Sequence, residues 1–137
     1  MVAENRLYFG KDGKGAPQLK RYLSEVKQGV TSLTIWKRED VDDNQKAKAE
    51  IKFFNSKNVF GTPKPERLIE RILTLGSNPG DLVLDSFLGS GTTAAVAHKM
   101  GRRWIGVELG EHAITHCYPR LKQVVDGTDQ GGISKAL

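Results

Sequence analysis

The feature that most constrains the fold is a glycine-rich loop between two short apolar runs. Residues 81–109 read DLVLDSFLGSGTTAAVAHKMGRRWIGVEL. The runs LVLD and RRWIGVE lack polar alternation over their apolar stretch, which is typical of strands covered on both faces. A helix is predicted between them over residues 92–100, and Gly101 ends it. A strand, a crossover helix and a second strand predict parallel strands in an α/β layered fold.

Helical patterns flank this unit on both sides. Pro65 can occupy the first position of a helix whose apolar residues share one face until Gly76 ends it. A capped helix is predicted upstream over residues 43–54. Downstream, HAITHCYPRLKQVV predicts a helix that is interrupted or kinked near Pro119. Two strands make a poor sheet, so either the first 60 residues supply more strands or the chain is one part of a larger domain.

The glycine loop matches the GxGxxA form of dinucleotide-binding loops at residues 89–94. In that form Gly89 allows the turn, Gly91 admits a ligand against the backbone, and Ala94 keeps the helix close to the sheet. No GK[ST] follows, which argues against a nucleotide triphosphatase. Glu108 ends the second strand 23 residues after Asp85, where an acid would hydrogen-bond a ribose diol. This pairing indicates a ligand that contains adenosine.

Asp85 distinguishes between adenosine ligands. A carboxylate at the tip of the first strand would repel a pyrophosphate and attract an ammonium and a sulfonium, the cations of S-adenosyl-L-methionine. Asp85 could instead cap the turn through its own backbone contacts. Thr92 and Thr93 offer hydroxyls and amides to a carboxylate such as the methionine tail, a role compatible with simple helix capping. An NAD-dependent oxidoreductase, which the loop permits and Asp85 opposes, is the alternative.

Taken in order and spacing, these motifs resemble the cofactor half of the β-class amino-methylating DNA methyltransferases. This N4/N6 group includes the modification subunits of type III restriction systems, and the resemblance covers about residues 58–118. TPKP at 62–65 matches a TxKP segment, residues 85–93 match a DPFxGSGTT loop, and Glu108 matches the ribose-binding acid. Ser86 departs from a common proline and leaves Asp85 and the glycines unchanged. The resemblance implies a Rossmann-like S-adenosylmethionine-dependent methyltransferase fold, here incomplete.

The resemblance also assigns a set of cofactor-binding residues. For Lys64, contact with the cofactor and packing of its stem over the sheet edge are equal alternatives. The ring of Phe87 is expected either under the cofactor or in the core, and the core is favoured. Upstream, residues 16–52 resemble the stretch that precedes these motifs in type III-like adenine methylases, which favours N6-adenine over N4-cytosine. The assigned residues are Thr62, Lys64, Pro65, Asp85, Phe87, Gly89, Ser90, Gly91, Thr92, Thr93 and Glu108.

One motif of this class is absent. The catalytic [DNS]PP[YFW] motif holds the target amino group and stacks on the flipped base, but no two adjacent prolines occur in these 137 residues. We therefore predict no catalytic residue, and no methylation of DNA by this chain alone. A non-enzymatic DNA-binding remnant is a further alternative. No metal site is predicted either, because His112 and His116 lack a third ligand and are expected on an exposed helix face.

Charge and composition add the expected organisation and partners. Residues 1–60 carry 12 Lys and Arg against 8 Asp and Glu, and residues 61–137 carry 9 against 8. A basic segment suits double-stranded DNA. The predicted parts are the end of a target-recognition or linking region (1–60), an S-adenosylmethionine-binding part (61–125) and a flexible tail (126–137). Further candidate partners are the missing catalytic half, a restriction subunit and a second copy of the chain.

The chain is expected in the cytoplasm, without a membrane contact. No apolar run approaches the length that crosses a bilayer, and the first ten residues lack the pattern of a signal peptide. The single cysteine, Cys117, cannot form an internal disulfide and is expected to pack.

Overall fold

The computed structural model describes residues 5–55 and 60–135 and divides into two compact units, Met1–Thr34 and Ile35–Leu137. Residues 58 and 59, where the resemblance to DNA methyltransferases begins, and the last two residues of the predicted tail lie outside the described ranges. The expected division near residue 60, between a recognition or linking region and a cofactor-binding part, stays a prediction.

The first unit is a small antiparallel hairpin. Strand β1 (Leu7–Tyr8) pairs with β2 (Gln18–Leu19), so that Leu7 faces Leu19. A 3-10 turn follows at Leu23–Glu25. No side chain of residues 5–34 is buried, so this unit has no core of its own among the described residues.

The second unit contains the predicted helices and strands. Its elements are α1 (Arg38–Val41), α2 (Asn44–Phe54), α3 (Glu66–Gly76), β3 (Leu82–Asp85), α4 (Thr92–Lys99), β4 (Arg103–Gly106), a π-helical turn (Ala113–Cys117), α5 (Tyr118–Val125) and a 3-10 turn (Gly132–Lys135).

Local signals set the ends of these helices. The carboxylate of Asp43 accepts hydrogen bonds from the amides of Gln45 and Lys46, both at 3.0 Å, and so caps α2. Pro65 directly precedes α3, one position earlier than predicted. The π-helical turn gives way to α5 at Tyr118, next to Pro119, because proline has no amide hydrogen to continue the ladder. The predicted interruption or kink near Pro119 takes the form of a change from π-helical to α-helical backbone, and α5 itself continues through Pro119.

Strands β3 and β4 are parallel, with Leu82 opposite Arg103 and Asp85 opposite Gly106, and α4 connects them. The predicted α/β class with parallel strands is therefore confirmed. The prediction that both faces of these strands are covered is wrong, since Leu82 is 54% and Leu84 64% exposed. Helix α4 packs on one face only, and within the described residues no element covers the other.

The core lies between α4, α3 and the sheet. Leu73, Val96, Ala97 and Ile133 form one cluster, with Trp104 packed against it. Ile133 is only 2% exposed, which differs from the mobile tail expected after residue 126. The reason is that the segment folds back onto α3: the Ile133 side chain enters the core and its amide donates to the Glu66 carboxylate at 3.0 Å.

A second small cluster supports the glycine loop and contains Leu88, Ala94 and Cys117. The Cys117 thiol donates to the carbonyl of Gly89 at 3.0 Å, so the predicted packing role is confirmed. In the described part of the chain, no helix is both long and apolar enough to cross a bilayer.

Candidate functional site

A pocket of about 240 Å³ lies where β3 ends and α4 begins. Three segments meet there: residues 60–64 before α3, the loop after β3, and the first turn of α4. Most of the predicted site residues line it, whereas Pro65, Gly91 and Glu108 do not. The lining residues are Phe60, Thr62, Lys64, Asp85, Phe87, Leu88, Gly89, Ser90, Thr92 and Thr93.

Two glycines give the loop its shape because both adopt the left-handed backbone conformation, Gly89 at φ +58° and Gly91 at φ +81°. A side-chain carbon on Gly91 would lie 3.4 Å from the Cα of Cys117, and one on Gly89 would lie 3.3 Å from the Phe60 ring. The loop therefore needs glycine at both positions, for backbone conformation and for space.

Asp85 both caps the turn and lines the pocket. Its Oδ1 accepts a hydrogen bond from the amide of Phe87 at 3.0 Å, as the capping alternative predicts. Across residues 5–55 and 60–135, no group donates a hydrogen bond to Oδ2 and no cationic side chain pairs with this carboxylate. The capping role therefore leaves Oδ2 available to a cationic ligand.

Glu108 lies against the glycine loop from the end of β4. Its Oε2 accepts from the amide of Gly89 at 2.6 Å, and its Oε1 accepts from the amides of Leu109 and Gly110. These amides, that of Gly89 first, hold the pKa of the Glu108 carboxyl below its usual value. Glu108 is therefore ionised near neutral pH and ties the end of β4 to the loop that carries Gly89.

The segment before α3 is joined to the site through its backbone. The carbonyl of Lys64 accepts a hydrogen bond from the hydroxyl of Thr92 at 3.1 Å, while the Lys64 side chain is exposed at the rim. The Thr92 hydroxyl also pairs with Ser90 Oγ at 3.2 Å. Thr92 is therefore buried, and its hydroxyl is used for hydrogen bonds within the protein, whereas Thr93 is only half-buried.

Phe87 does not lie in the core. Its side chain is 91% exposed, so the prediction that its ring packs in the interior is wrong. The chain turns outward after Asp85, and the next apolar side chain, Leu88, enters the core instead. Phe87 therefore lines the pocket as an exposed apolar surface.

The sequence reasoning missed two charged residues beneath the loop, Glu66 and Arg120. Both are buried, at 1% and 0% exposure. Arg120 Nη1 donates to the Ser90 carbonyl at 3.3 Å and to Thr92 Oγ1 at 2.9 Å, and Nη2 donates to Glu66 Oε1 at 2.8 Å. Helical spacing could have found Arg120, because it shares a face with Cys117 and Val124, which are buried.

The structure brings His112 and His116 together without forming a metal site. The two rings meet edge to face at 5.5 Å and both contact the ring of Phe60. His116 is buried, so the expected exposed face is wrong for it, because its ring packs against Phe60 and its Nδ1 is bonded to the Thr115 hydroxyl at 2.8 Å. No group of three or more potential metal ligands occurs in the described ranges.

Comparison with known proteins identifies relatives of this chain. Two are modification subunits: the probable type III restriction-modification enzyme HindVI Mod subunit of Haemophilus influenzae, 47% identical over 104 residues, and the StyLTI Mod subunit of Salmonella typhimurium, 43% identical over 94 residues. A third is the type II methyltransferase M1.MboII of Moraxella bovis, 52% identical over 63 residues.

These alignments cover 76%, 69% and 46% of this chain, but only 13%, 14% and 24% of the respective relatives. The chain thus spans a small part of the curated proteins it matches. The N6/N4 methylase family, described as DNA methylase, matches residues 5–118. This range contains the TPKP segment, the glycine loop and Glu108, and it confirms the resemblance found in the sequence. The chain belongs to the N6/N4 family of DNA methylases.

Proposed function

We propose that this chain is the cofactor-binding part of an adenine-N6 DNA methyltransferase and that its pocket holds S-adenosyl-L-methionine. The observation that carries the proposal is that Asp85, whose Oδ2 accepts no hydrogen bond from a described residue, lines a pocket formed by the glycine loop and the first turn of α4. When bound, this cofactor supplies a methyl group on a positively charged sulfur for transfer to the exocyclic amine of a base.

The residues of the pocket suit the parts of that cofactor. Asp85 would attract the ammonium of the methionine moiety, and the start of α4, with Thr93, would receive its carboxylate. Glu108 does not line the pocket itself, but it is ionised beside Gly89, which does, and it is the candidate for the ribose hydroxyls. A volume of about 240 Å³ is below the roughly 300–1,000 Å³ of typical ligand pockets, which supports a site that other parts of a Rossmann-like domain complete.

An NAD-dependent oxidoreductase is disfavoured by the same geometry. Its pyrophosphate would lie over the glycine loop, within reach of the unpaired carboxylate oxygen of Asp85. The repulsion between these anions would be strong at such a site. The relatives, two named as Mod subunits of type III restriction-modification enzymes and one as a type II methyltransferase, support the methyltransferase.

Adenine as the target base rests on the upstream resemblance to type III-like adenine methylases. Double-stranded DNA is the proposed substrate, and a restriction subunit is a proposed partner because two relatives are named as Mod subunits of type III restriction-modification enzymes. Since the chain has no PP-aromatic motif, we expect methyl transfer only after a polypeptide with that motif completes the domain. The cytoplasmic location stays a prediction from the sequence.

Calorimetric titration tests the cofactor assignment. We expect S-adenosylhomocysteine to bind, and Asp85→Asn to weaken it by about tenfold or more, the value of a charge-assisted hydrogen bond. Binding of 5′-methylthioadenosine, which lacks the amino-acid moiety, should be the same for both proteins. Asp81→Asn, at the other end of β3, is the matched control. The assignment would be refuted if Asp85→Asn lowered the affinity for both ligands equally. It would also be refuted if NAD bound more tightly, or if S-adenosylhomocysteine did not bind at millimolar concentration.

Transfer of a methyl group is tested in a chimera. The aligned 104 residues of the Haemophilus influenzae relative are replaced with those of this chain, and the nucleosides of digested DNA are identified by mass spectrometry. We expect N6-methyl-2′-deoxyadenosine, and its loss on Asp85→Asn. N4-methyl-2′-deoxycytidine as the product would contradict the adenine assignment.

A further inference from the structure

A buried charge network lies beneath the glycine loop, outside the lining of the pocket. At its centre is the Glu66 carboxylate at the start of α3. Its Oε1 accepts from Arg120 Nη2 at 2.8 Å and from Lys99 Nζ at 2.9 Å, and its Oε2 accepts from Lys99 Nζ at 2.8 Å and from the amide of Ile133. Asp129 pairs with Lys99 from the C-terminal segment. The network thus joins α3, α4, α5 and that segment.

Arg120 is the member of this network that reaches the loop. Its guanidinium contacts the Ser90 carbonyl and the Thr92 hydroxyl through Nη1, and its Cδ is 3.8 Å from the position that a Gly91 side-chain carbon would take. The planar guanidinium has donors in a fixed fork, so one side chain can bond the loop and Glu66 at the same time. One buried cation therefore bonds both Ser90 in the loop and Thr92 at the start of α4.

Stability alone is a weak reason for such an arrangement. Burial of an ion pair costs desolvation that often cancels the attraction, and well-packed apolar residues can replace such pairs without loss of stability. An apolar side chain, however, could not donate to the Ser90 carbonyl or to Thr92. What the guanidinium supplies in addition to packing is a defined position for the loop.

We propose that Arg120 is a positioning residue for the pocket: it holds Ser90 and Thr92 in place, and Glu66 fixes its guanidinium. The expected effect on the cofactor rests on the function proposed above, whereas the effect on the loop does not. Arg120 acts through the loop and does not line the pocket.

The first test compares two variants of the same network. Arg120→Met keeps most of the aliphatic stem and removes every donor to the loop, while Glu66 keeps Lys99 as its partner. Asp129→Asn changes the network at a residue with no contact to the loop. We expect both to lower Tm by several degrees, but only Arg120→Met to weaken S-adenosylhomocysteine binding, by about tenfold. Arg120→Lys, with one compact ammonium in place of the fork, should bind with intermediate affinity, and it replaces Arg120→Met if that variant does not fold.

The second test measures the loop without a ligand. Hydrogen exchange of the amides of residues 89–93 should be at least tenfold faster in Arg120→Met than in Asp129→Asn at matched stability. This result is expected even if the protein fails to bind S-adenosylhomocysteine, an outcome that would refute the proposed function alone. The positioning role would be overturned if residues 89–93 exchanged at equal rates in Arg120→Met and Asp129→Asn. It would also be overturned if the two variants lost equal amounts of Tm and bound S-adenosylhomocysteine with equal affinity.

Discussion

Replacing Glu50 with glutamine should stabilise the protein at pH 8 far more than at pH 5. Glu50 lies on α2 beside the network, with a side chain 14% exposed and its Oε2 4.0 Å from Arg120 Nη2. Burial, and then the charge of Glu66, raise the pKa of Glu50 from 4.5 to about 7, although Arg120 and Lys99 act in the opposite direction. The ionised form is therefore disfavoured in the folded protein.

The direction of the pH effect follows from which state binds the proton. Below about pH 4.5, Glu50 is neutral in both the folded and the unfolded chain. Between pH 4.5 and 7 the unfolded chain releases the proton and the folded protein keeps it, so the free energy of unfolding falls as pH rises. Above pH 7 Glu50 is ionised in both states, and the decrease in the free energy of unfolding that it causes stays constant.

The magnitude follows from the size of the shift. At about 1.4 kcal/mol per pH unit, a pKa of about 7 against 4.5 corresponds to at most about 3 kcal/mol between pH 5 and pH 8. Because Glu50 retains contact with water, we expect about 1–2 kcal/mol. Glutamine cannot ionise, and its amide oxygen can still accept the hydrogen bond that the amide of Glu66 donates to Glu50 Oε2 at 3.3 Å.

Urea unfolding at pH 5, 6, 7 and 8 measures the difference in the free energy of unfolding between Glu50→Gln and the original protein. The titration of other groups cancels in this difference. Glu39→Gln, a change at an exposed acid on α1, is the control and should follow the original protein at each pH. If the free energies of unfolding of Glu50→Gln and the original protein run parallel from pH 5 to pH 8, the assigned pKa is wrong.

Three further predictions test the packing around the site. Ile133→Ala should lower the free energy of unfolding by about 2–4 kcal/mol because the side chain is fully buried. The control Ile114→Ala, at a position 76% exposed, should change it by less than about 0.5 kcal/mol. Equal effects of the two changes in urea unfolding would mean that the C-terminal segment does not pack. Gly91→Ala should destabilise more than Gly127→Ala, because both glycines have positive φ but only Gly91 has a close neighbour; a larger loss at Gly127 would contradict this. Cys117, whose burial raises the pKa of its thiol to about 11, should react with iodoacetamide at pH 8 only after unfolding, and mass spectrometry showing rapid labelling of the folded protein would refute its burial.

Local signals were enough to predict most elements of the second unit. Helix α2 begins after Asp43, whose carboxylate caps it, and α4 lies between the glycine loop and Gly101 as expected. Capping and hydrophobic periodicity depend on neighbours within a few residues, so they can be read without a tertiary structure. The pocket could be anticipated for the same reason: the tip of β3, the glycine loop and the start of α4 are consecutive in the chain.

Burial was predicted less well because it depends on elements that are distant in sequence. The apolar runs of β3 and β4 predict two covered faces, yet one face is exposed because no described element lies over it. The ring of Phe87 is exposed and His116 is buried, contrary to expectation, since each depends on how the backbone turns just before it and on what it meets. The C-terminal segment packs because Ile133 finds a place in the core that α3 and α4 form.

The sequence by itself determined the membership of the N6/N4 DNA methylase family, the parallel α/β unit and the glycine loop, because these depend on residue types at short, fixed spacings. The tertiary structure alone decided what supports that loop. Arg120 is 30 residues from Ser90 and 54 from Glu66 in the chain, and only the packing of α3 and α5 against α4 brings the three together. A buried charge is stable only where its partners surround it, and those partners are defined by the folded chain.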